Sequence, residues 1–289
     1  MFGSALLYYL LLKPLSMLPY PILYGISNFF YYLIYYVVGY RKKVVFKNLK
    51  NSFPEKTDAE LTAIMKKFFR HFCDLVVESV KNFSIQDKEA SRRLVSVNLE
   101  VMNRYAEKGQ SVILCGGHYA NWELWAVAGP QQLKHQVVAI YKKLRNDYFD
   151  QKMRDSRGKF GLHLVRTLDT GEYFKSNHDK NIAMVFGFDQ SPSNPKKCIW
   201  INFMGQETGA LFGAEKYAKD YNLPIIYGEA RKIKRGHYEM RYELVTETPG
   251  DYAHGELTQI LHTRLEKDIR KTPEYWLWSH KRWKHKRPS

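Results

Sequence analysis

The sequence predicts an α/β fold, a single central β-sheet flanked by helices, preceded by an apolar N-terminal helix. From residue 112 onward, short apolar runs of strand length alternate with segments of helical periodicity, the pattern of one layered sheet. No repeat, linker or low-complexity stretch divides that alternation. The third observation is charge: residues 1–40 hold one Lys and no acid, so nearly all of the net +16 lies on the rest of the chain. With 289 residues, the chain can bury a core without disulfides. Cys73, Cys115 and Cys198 lie far apart, which leaves neither a disulfide scaffold nor a CxxC metal or redox site. A composition of 45% hydrophobic and 26% charged residues excludes disorder, and a mean hydropathy of -0.46 is too polar for a many-helix membrane protein.

The first element is the apolar segment. Between Lys13 and Arg41 there is no charge, and residues 22–40 are nearly continuously apolar. At about 1.5 Å per residue they reach roughly 30 Å, just long enough to cross a bilayer core. Seven of residues 20–40 are Tyr, which suits the headgroup level, so a shallow monotopic insertion is the alternative. Pro14, Pro19 and Pro21 break what precedes, making residues 5–12 a separate interfacial helix. A cleaved signal peptide fits poorly, because there is no basic leader and no small-residue cleavage site. Arg41, Lys42, Lys43, Lys47 and Lys50 follow without an acid; by the positive-inside rule that side is cytoplasmic, and the cluster suits an anionic membrane surface. The predicted division is a membrane-anchoring segment over 1–40 and one domain over 41–289.

Thr57 and Glu60 form a capping box that opens a helix with Leu61, Ile64, Met65, Phe68, Phe69, Phe72 and Val76 at helical spacing. Beyond it the sequence predicts strands over 112–115, 137–141, 162–165, 182–188 and 199–203. Helices are predicted over 121–133, 146–157, 170–178 and 211–220. Residues 225–233 and 238–245 flank the basic turn Lys234-Arg235-Gly236-His237 as a β-hairpin, and a helix over 252–271 precedes an aromatic, basic tail.

The chemistry concentrates in Gly116-Gly117-His118-Tyr119-Ala120-Asn121-Trp122-Glu123-Leu124-Trp125. Two glycines release His118 from a strand end, where ligands approach an α/β sheet. On one regular helix, five steps of about 100° would leave Glu123 about 140° away from His118. The two meet only if His118 lies in the loop and Glu123 in the first turns of the next helix. Glu123 would then fix the imidazole tautomer while the other ring nitrogen takes a proton. A strand-terminal His with a surface Glu is the plainer reading. Neither Gly-x-Ser-x-Gly nor a suitably placed Cys is present, which disfavours an acyl-enzyme hydrolase.

This His-x4-Glu motif resembles that of the glycerolipid-type acyltransferases, and among them the late, secondary acyltransferases of lipid A biosynthesis. The resemblance covers nearly the whole chain: Asn48-Leu49-Lys50-Asn51-Ser52-Phe53-Pro54-Glu55, Asp189-Gln190, Ile201-Asn202-Phe203-Met204-Gly205 with Thr208-Gly209, and the ending Pro273-Glu274-Tyr275-Trp276-Leu277-Trp278-Ser279-His280-Lys281-Arg282-Trp283-Lys284. After Gln190 the chain has Ser191, where relatives often carry a second acid.

The resemblance implies a glycerolipid acyltransferase-like fold on the cytoplasmic face of a bacterial inner membrane. It implies transfer of a fatty acyl group from acyl carrier protein or acyl-CoA to a hydroxyl of a lipid A precursor. Another membrane lipid acceptor, such as a lysophospholipid, a phosphatidylinositol mannoside or an amino-acid lipid, is the alternative, as is an idle protein that binds anionic lipid. No metal and no cofactor is required. His118 would act as base with Glu123 orienting it, and the Asn121 side chain or nearby backbone N–H groups would receive the oxyanion. Lys142, Lys143 and Arg145 follow a strand toward the same edge. The family's functional Arg matches Arg157, with Arg154 second, to hold phosphate. Asp189 would bond a sugar, support that Arg, or form a turn. The basic, Trp-containing tail also suits nucleic acid, but the apolar N-terminus and the lack of a recognised motif argue against such a partner.

Overall fold

Val112-Ile113-Leu114-Cys115 carries no polar residue because both faces of its strand are covered, as in a parallel sheet between helices. The computed structural model describes residues 2–287. Its strands are β1 (Leu94–Val97), β2 (Val112–Gly116), β3 (Gln136–Tyr141), β4 (His163–Arg166), β5 (Ile182–Gly187), β6 (Ile199–Phe203), β7 (Gln206–Ala210), β8 (Ile225–Lys234) and β9 (His237–Thr246). Seven of them form one sheet in the order β1-β9-β8-β2-β5-β3-β4, and β6 and β7 pair separately. All neighbours in the large sheet are parallel except the β8–β9 hairpin. The predicted α/β class with one central sheet is therefore the observed one.

The chain leaves β2 toward β3 on one side and reaches β8, on the other side, after β5. The strand order thus reverses beside β2 and β5, where ligand crevices form in open α/β sheets. Gly116 and Gly187, the last residues of the two strands, are register partners. Two positions beyond each lie His118 and Asp189.

Several predicted elements change length for local reasons. The helix expected over 121–133 runs only over Trp122–Ala128, because Pro130 has no N–H and opens a separate turn at Pro130–Gln132. The last long helix starts at Glu256, after Gly255 at φ +88, rather than at residue 252. Strands β1 and β7 have no sequence prediction: β1 is four residues long and β7 reads Gln-Glu-Thr-Gly-Ala, with little of the apolar pattern. Thr57 caps the Asp58–Lys81 helix with the reciprocal Glu60 bonds of a capping box.

One helical segment, Tyr20–Val38, is long and apolar enough to cross a membrane. One face of it packs on the domain. Tyr20, Leu23, Ser27, Tyr31 and Tyr35 form a buried stripe, with Ser27 and Tyr35 against Asp74 and Phe69 of the Asp58–Lys81 helix. The opposite face leaves Ile22, Phe29, Phe30, Tyr32 and Tyr36 exposed. The Tyr24 hydroxyl donates to Glu78 Oε1 at 2.9 Å and Ser27 Oγ to Asp74 Oδ1 at 2.7 Å. Val76, expected on the apolar stripe, is 47% exposed, since Asp74 and Glu78 occupy the inward positions and are partnered there. Pro14 does not end the first helix either. The ladder widens to a π-helix over Tyr8–Leu12, and the break comes at Leu18-Pro19, where both residues are extended.

Candidate active site

The loop after β2 carries His118 back over the end of β5. Gly187 makes room for it: a Cβ there would lie 3.2 Å from His118 Cε1. Asp189 is buried directly beneath. His118 Nδ1 lies 2.6 Å from Asp189 Oδ1, and the His118 backbone N–H donates to Oδ2 at 2.9 Å. The Trp276 indole N–H donates to the same Oδ2 at 2.7 Å. An ionised carboxylate accepts all three bonds, which puts the imidazole proton on Nδ1 and leaves the Nε2 lone pair facing outward. Gln190 Nε2 lies 3.0 Å from that Nε2 and donates to it.

Burial alone would raise the Asp189 pKa, but the His118 charge, its hydrogen bonds and the Trp276 N–H hold the carboxyl well below its usual range. Burial also disfavours the imidazolium. The Asp189 charge and hydrogen bond outweigh it, and the Glu123 charge adds to them, so the His118 pKa is raised above its ordinary value. His118 and Asp189 thus form a carboxylate–imidazole pair at the carboxyl edge of the sheet.

Glu123 lies in the first turn of the Trp122–Ala128 helix, as the spacing argument required, but it does not orient the imidazole. Its carboxylate is forked by Arg157, with Nε donating to Oε2 at 3.0 Å and Nη2 to Oε1 at 2.6 Å. The expected His118–Glu123 contact is replaced by two pairs, His118–Asp189 and Glu123–Arg157. Arg157 sits on the Asp147–Gly158 helix and shares the cavity wall with His118 and Glu123.

Four other predicted site residues lie outside the cavity lining. Asn121 is the N-cap of the Trp122–Ala128 helix: its Oδ1 accepts from the Leu124 N–H and its Nδ2 donates to Glu78 Oε2. It is buried, engaged at both ends and absent from the cavity lining. Lys142 and Arg145 are exposed in the loop after β3 and do not line the cavity. Arg154 is exposed, paired with Asp150 and Gln151, and does not line the cavity.

The cavity beside His118 holds about 420 Å³, within the range of small-molecule sites. Its walls are Leu114, Ala139, Leu164, Val185 and Met240 from one face of the sheet, with Trp122, Trp125 and Ala126 from the helix above. The polar groups gather at the His118 end.

The aromatic tail, read from sequence as a charged ending, holds this loop. The Ala120 N–H donates to the Tyr275 carbonyl at 3.0 Å and the Leu277 N–H to the His118 carbonyl at 3.2 Å. Ala120 is held at φ +52 between them, and its carbonyl accepts from His71 Nε2 at 3.1 Å. Arg282 is buried, donating to the Gly209 carbonyl, and Trp283 donates to Thr208. Sequence reasoning missed Gln190 and Trp276 as site residues. The position of Asp189-Gln190 just past a strand in register with β2 was the available signal.

No curated protein matches the chain. The family described as bacterial lipid A biosynthesis acyltransferases matches residues 2–285, nearly the whole length. With an α/β sheet, a histidine at its switch point and an apolar slot beside it, the chain belongs to the bacterial lipid A biosynthesis acyltransferase family.

Proposed function

We propose that the protein moves a fatty acyl group from the thioester of acyl carrier protein or acyl-CoA to a hydroxyl of a lipid A precursor at a membrane surface. The observation that carries this reading is the His118–Asp189 pair at the polar end of an apolar slot. The acceptor hydroxyl takes the place of the Gln190 amide at His118 Nε2 and gives its proton to that nitrogen. The alkoxide oxygen attacks the thioester carbonyl, forming the ester C–O bond and a tetrahedral oxyanion. The displaced Gln190 N–H lies within reach of that oxyanion, a role first assigned to Asn121. The carbon–sulfur bond then breaks, and the imidazolium returns its proton to the departing thiolate.

Asp189 stabilises the imidazolium while it exists and keeps the ring in the productive tautomer. Glu123 pins Arg157 so that its remaining N–H groups face the cavity. The guanidinium is suited to a phosphate of the acceptor or of the donor's phosphopantetheine arm. The membrane segment lies along the domain and meets the bilayer with its exposed apolar face, as a monotopic helix, with the body on the cytoplasmic side. That face and the basic cluster at Arg41–Lys50 support the inner-membrane location.

The test is acyl transfer by the full-length protein in lipid vesicles, followed by mass spectrometry of the acceptor. His118→Ala is expected to lower turnover by about 10²–10⁴ while the protein stays folded and vesicle-bound. Full activity in that variant would discard the mechanism. Loss of one secondary acyl chain from lipid A in cells lacking the gene identifies the acceptor, and an unchanged lipid A with altered polar lipids redirects it.

A further inference from the structure

Leu168 is 94% exposed, the most exposed of the large apolar side chains among the described residues. It sits in the turn Thr167–Asp169 after β4, and the Thr167 hydroxyl ties that turn to the Tyr141 carbonyl at the end of β3. The next loop, after β3, exposes Leu144 between Lys142, Lys143 and Arg145. Strands β2, β3, β4 and β5 are parallel, so both loops lie at the same sheet edge as His118, and Tyr141 itself lines the cavity.

The two leucines continue an apolar surface. Asn146, two residues beyond Leu144, donates to Ser4 Oγ at 2.8 Å, and Tyr148 packs edge-on against Tyr8 at 6.0 Å. From there Leu6, Leu7, Leu10 and Leu11 of the N-terminal helix are exposed. Around the leucines the charge is positive. Lys143 and Arg166 are paired with Asp147 and Asp169, while Lys142 and Arg145 have no ion-pair partner among the described residues. Isolated exposed leucines need no explanation, but two on adjacent loops, flanked by cations and joined to an apolar helix, match an interfacial lipid contact.

We propose that the loops after β3 and β4 form a second membrane contact, with Leu144 and Leu168 entering the headgroup boundary and Lys142 and Arg145 meeting anionic headgroups. This rests on the N-terminal segment being the first contact. The pair of contacts turns the carboxyl edge of the sheet, and with it the mouth of the His118 cavity, toward the bilayer. A lipid acceptor then reaches the imidazole without leaving the membrane.

The experiment uses full-length protein with Cys198→Ser, since Cys73 and Cys115 are buried. An environment-sensitive fluorophore is placed in turn on Leu168→Cys, Leu144→Cys, Leu10→Cys and Lys108→Cys. Vesicles of equal parts phosphatidylcholine and phosphatidylglycerol are added, with and without lipid bearing a quencher. The expected result is a several-fold, quenchable rise in emission at 168, 144 and 10, and none at 108 on the opposite edge. A response at 10 without one at 168 and 144 overturns this proposal and leaves the first contact standing. Silence at 10 removes the first contact and this proposal with it. A response at 168 to acyl carrier protein instead of vesicles overturns the proposal and assigns the loops to the donor. Leu168→Ser is expected to lower kcat/KM several-fold for acceptor in vesicles and to leave it unchanged for acceptor dispersed in detergent. Equal loss in both overturns the membrane role.

Discussion

At the scale of single residues, the site is a carboxylate–imidazole pair, Asp189–His118, and an ion pair, Glu123–Arg157, with His118, Glu123 and Arg157 on one cavity wall. The raised pKa of His118 means that the base becomes neutral only above the ordinary imidazole value, so kcat/KM is expected to rise with pH through a point above about 6.5. In Asp189→Asn the charge is gone and burial remains, so that limb moves to lower pH, while kcat falls by about 10²–10⁴. A pH–rate profile of the two proteins checks both. The same pair affects stability. A raised His contributes below its unfolded pKa and loses that contribution as pH rises through the folded value. A depressed Asp contributes above its unfolded pKa and loses it as pH falls. The gap in thermal stability between wild type and Asp189→Asn should therefore be widest between about pH 4 and about pH 6.5. Gly187 sets the ring position. Gly187→Ala places a methyl group 3.2 Å from Cε1, and a displacement of a few tenths of an ångström is expected to lower kcat by roughly tenfold without unfolding the chain. A normal kcat in that variant would show that the ring has room to shift.

At the scale of elements, the Asp58–Lys81 helix holds the apolar Tyr20–Val38 segment and the His118 loop on one polar seam. Glu78, buried, accepts from Tyr24 of the first long helix at 2.9 Å, from Tyr238 of β9 at 2.8 Å and from the N-cap Asn121 at 2.6 Å. Arg235, at the hairpin turn, forks Asp74 four residues earlier, while Ser27 bonds the same carboxylate. Arg235 of the basic turn is thus tied back to the Asp58–Lys81 helix. Glu78→Leu leaves two buried donors, on Tyr238 and Asn121, and the half-buried Tyr24 hydroxyl without their acceptor and is expected to cost about 3 kcal/mol or more. Urea unfolding measures this, and a change below about 0.5 kcal/mol would show that water replaces the carboxylate.

At the scale of the whole molecule, Tyr20, Tyr31 and Tyr35 share a core with the body, and the proposed monotopic contact rests on that packing. Lys81 Nζ donates to the Leu18 carbonyl and Ser84 Oγ to the Ser16 carbonyl, so the segment is fastened at its start as well as along its length. In the proposed monotopic arrangement both ends of the helix stay on one side of the bilayer. Cysteines placed at Ser4 and Tyr40 are therefore expected to react equally with an impermeant thiol reagent added outside vesicles carrying outward-facing protein. Protection of Ser4→Cys alone would restore a spanning helix.

The sequence by itself determined the α/β class, the capping box at Thr57, the hairpin around Gly236, the apolar N-terminus and the placing of His118 beyond a strand. These depend on local chemistry: periodicity, turn residues and caps act within a few positions of each other. Even Arg157 was reached, through family likeness. Only the tertiary structure decided that Asp189, 71 positions away, and not Glu123, five away, holds the imidazole. The choice follows from β2 and β5 being neighbours in register, and strand order is a long-range property that no local pattern carries. For the same reason Trp276 became a hydrogen-bond donor to the site, Asn121 a cap, and a helix long enough to span a bilayer one that lies against its own domain.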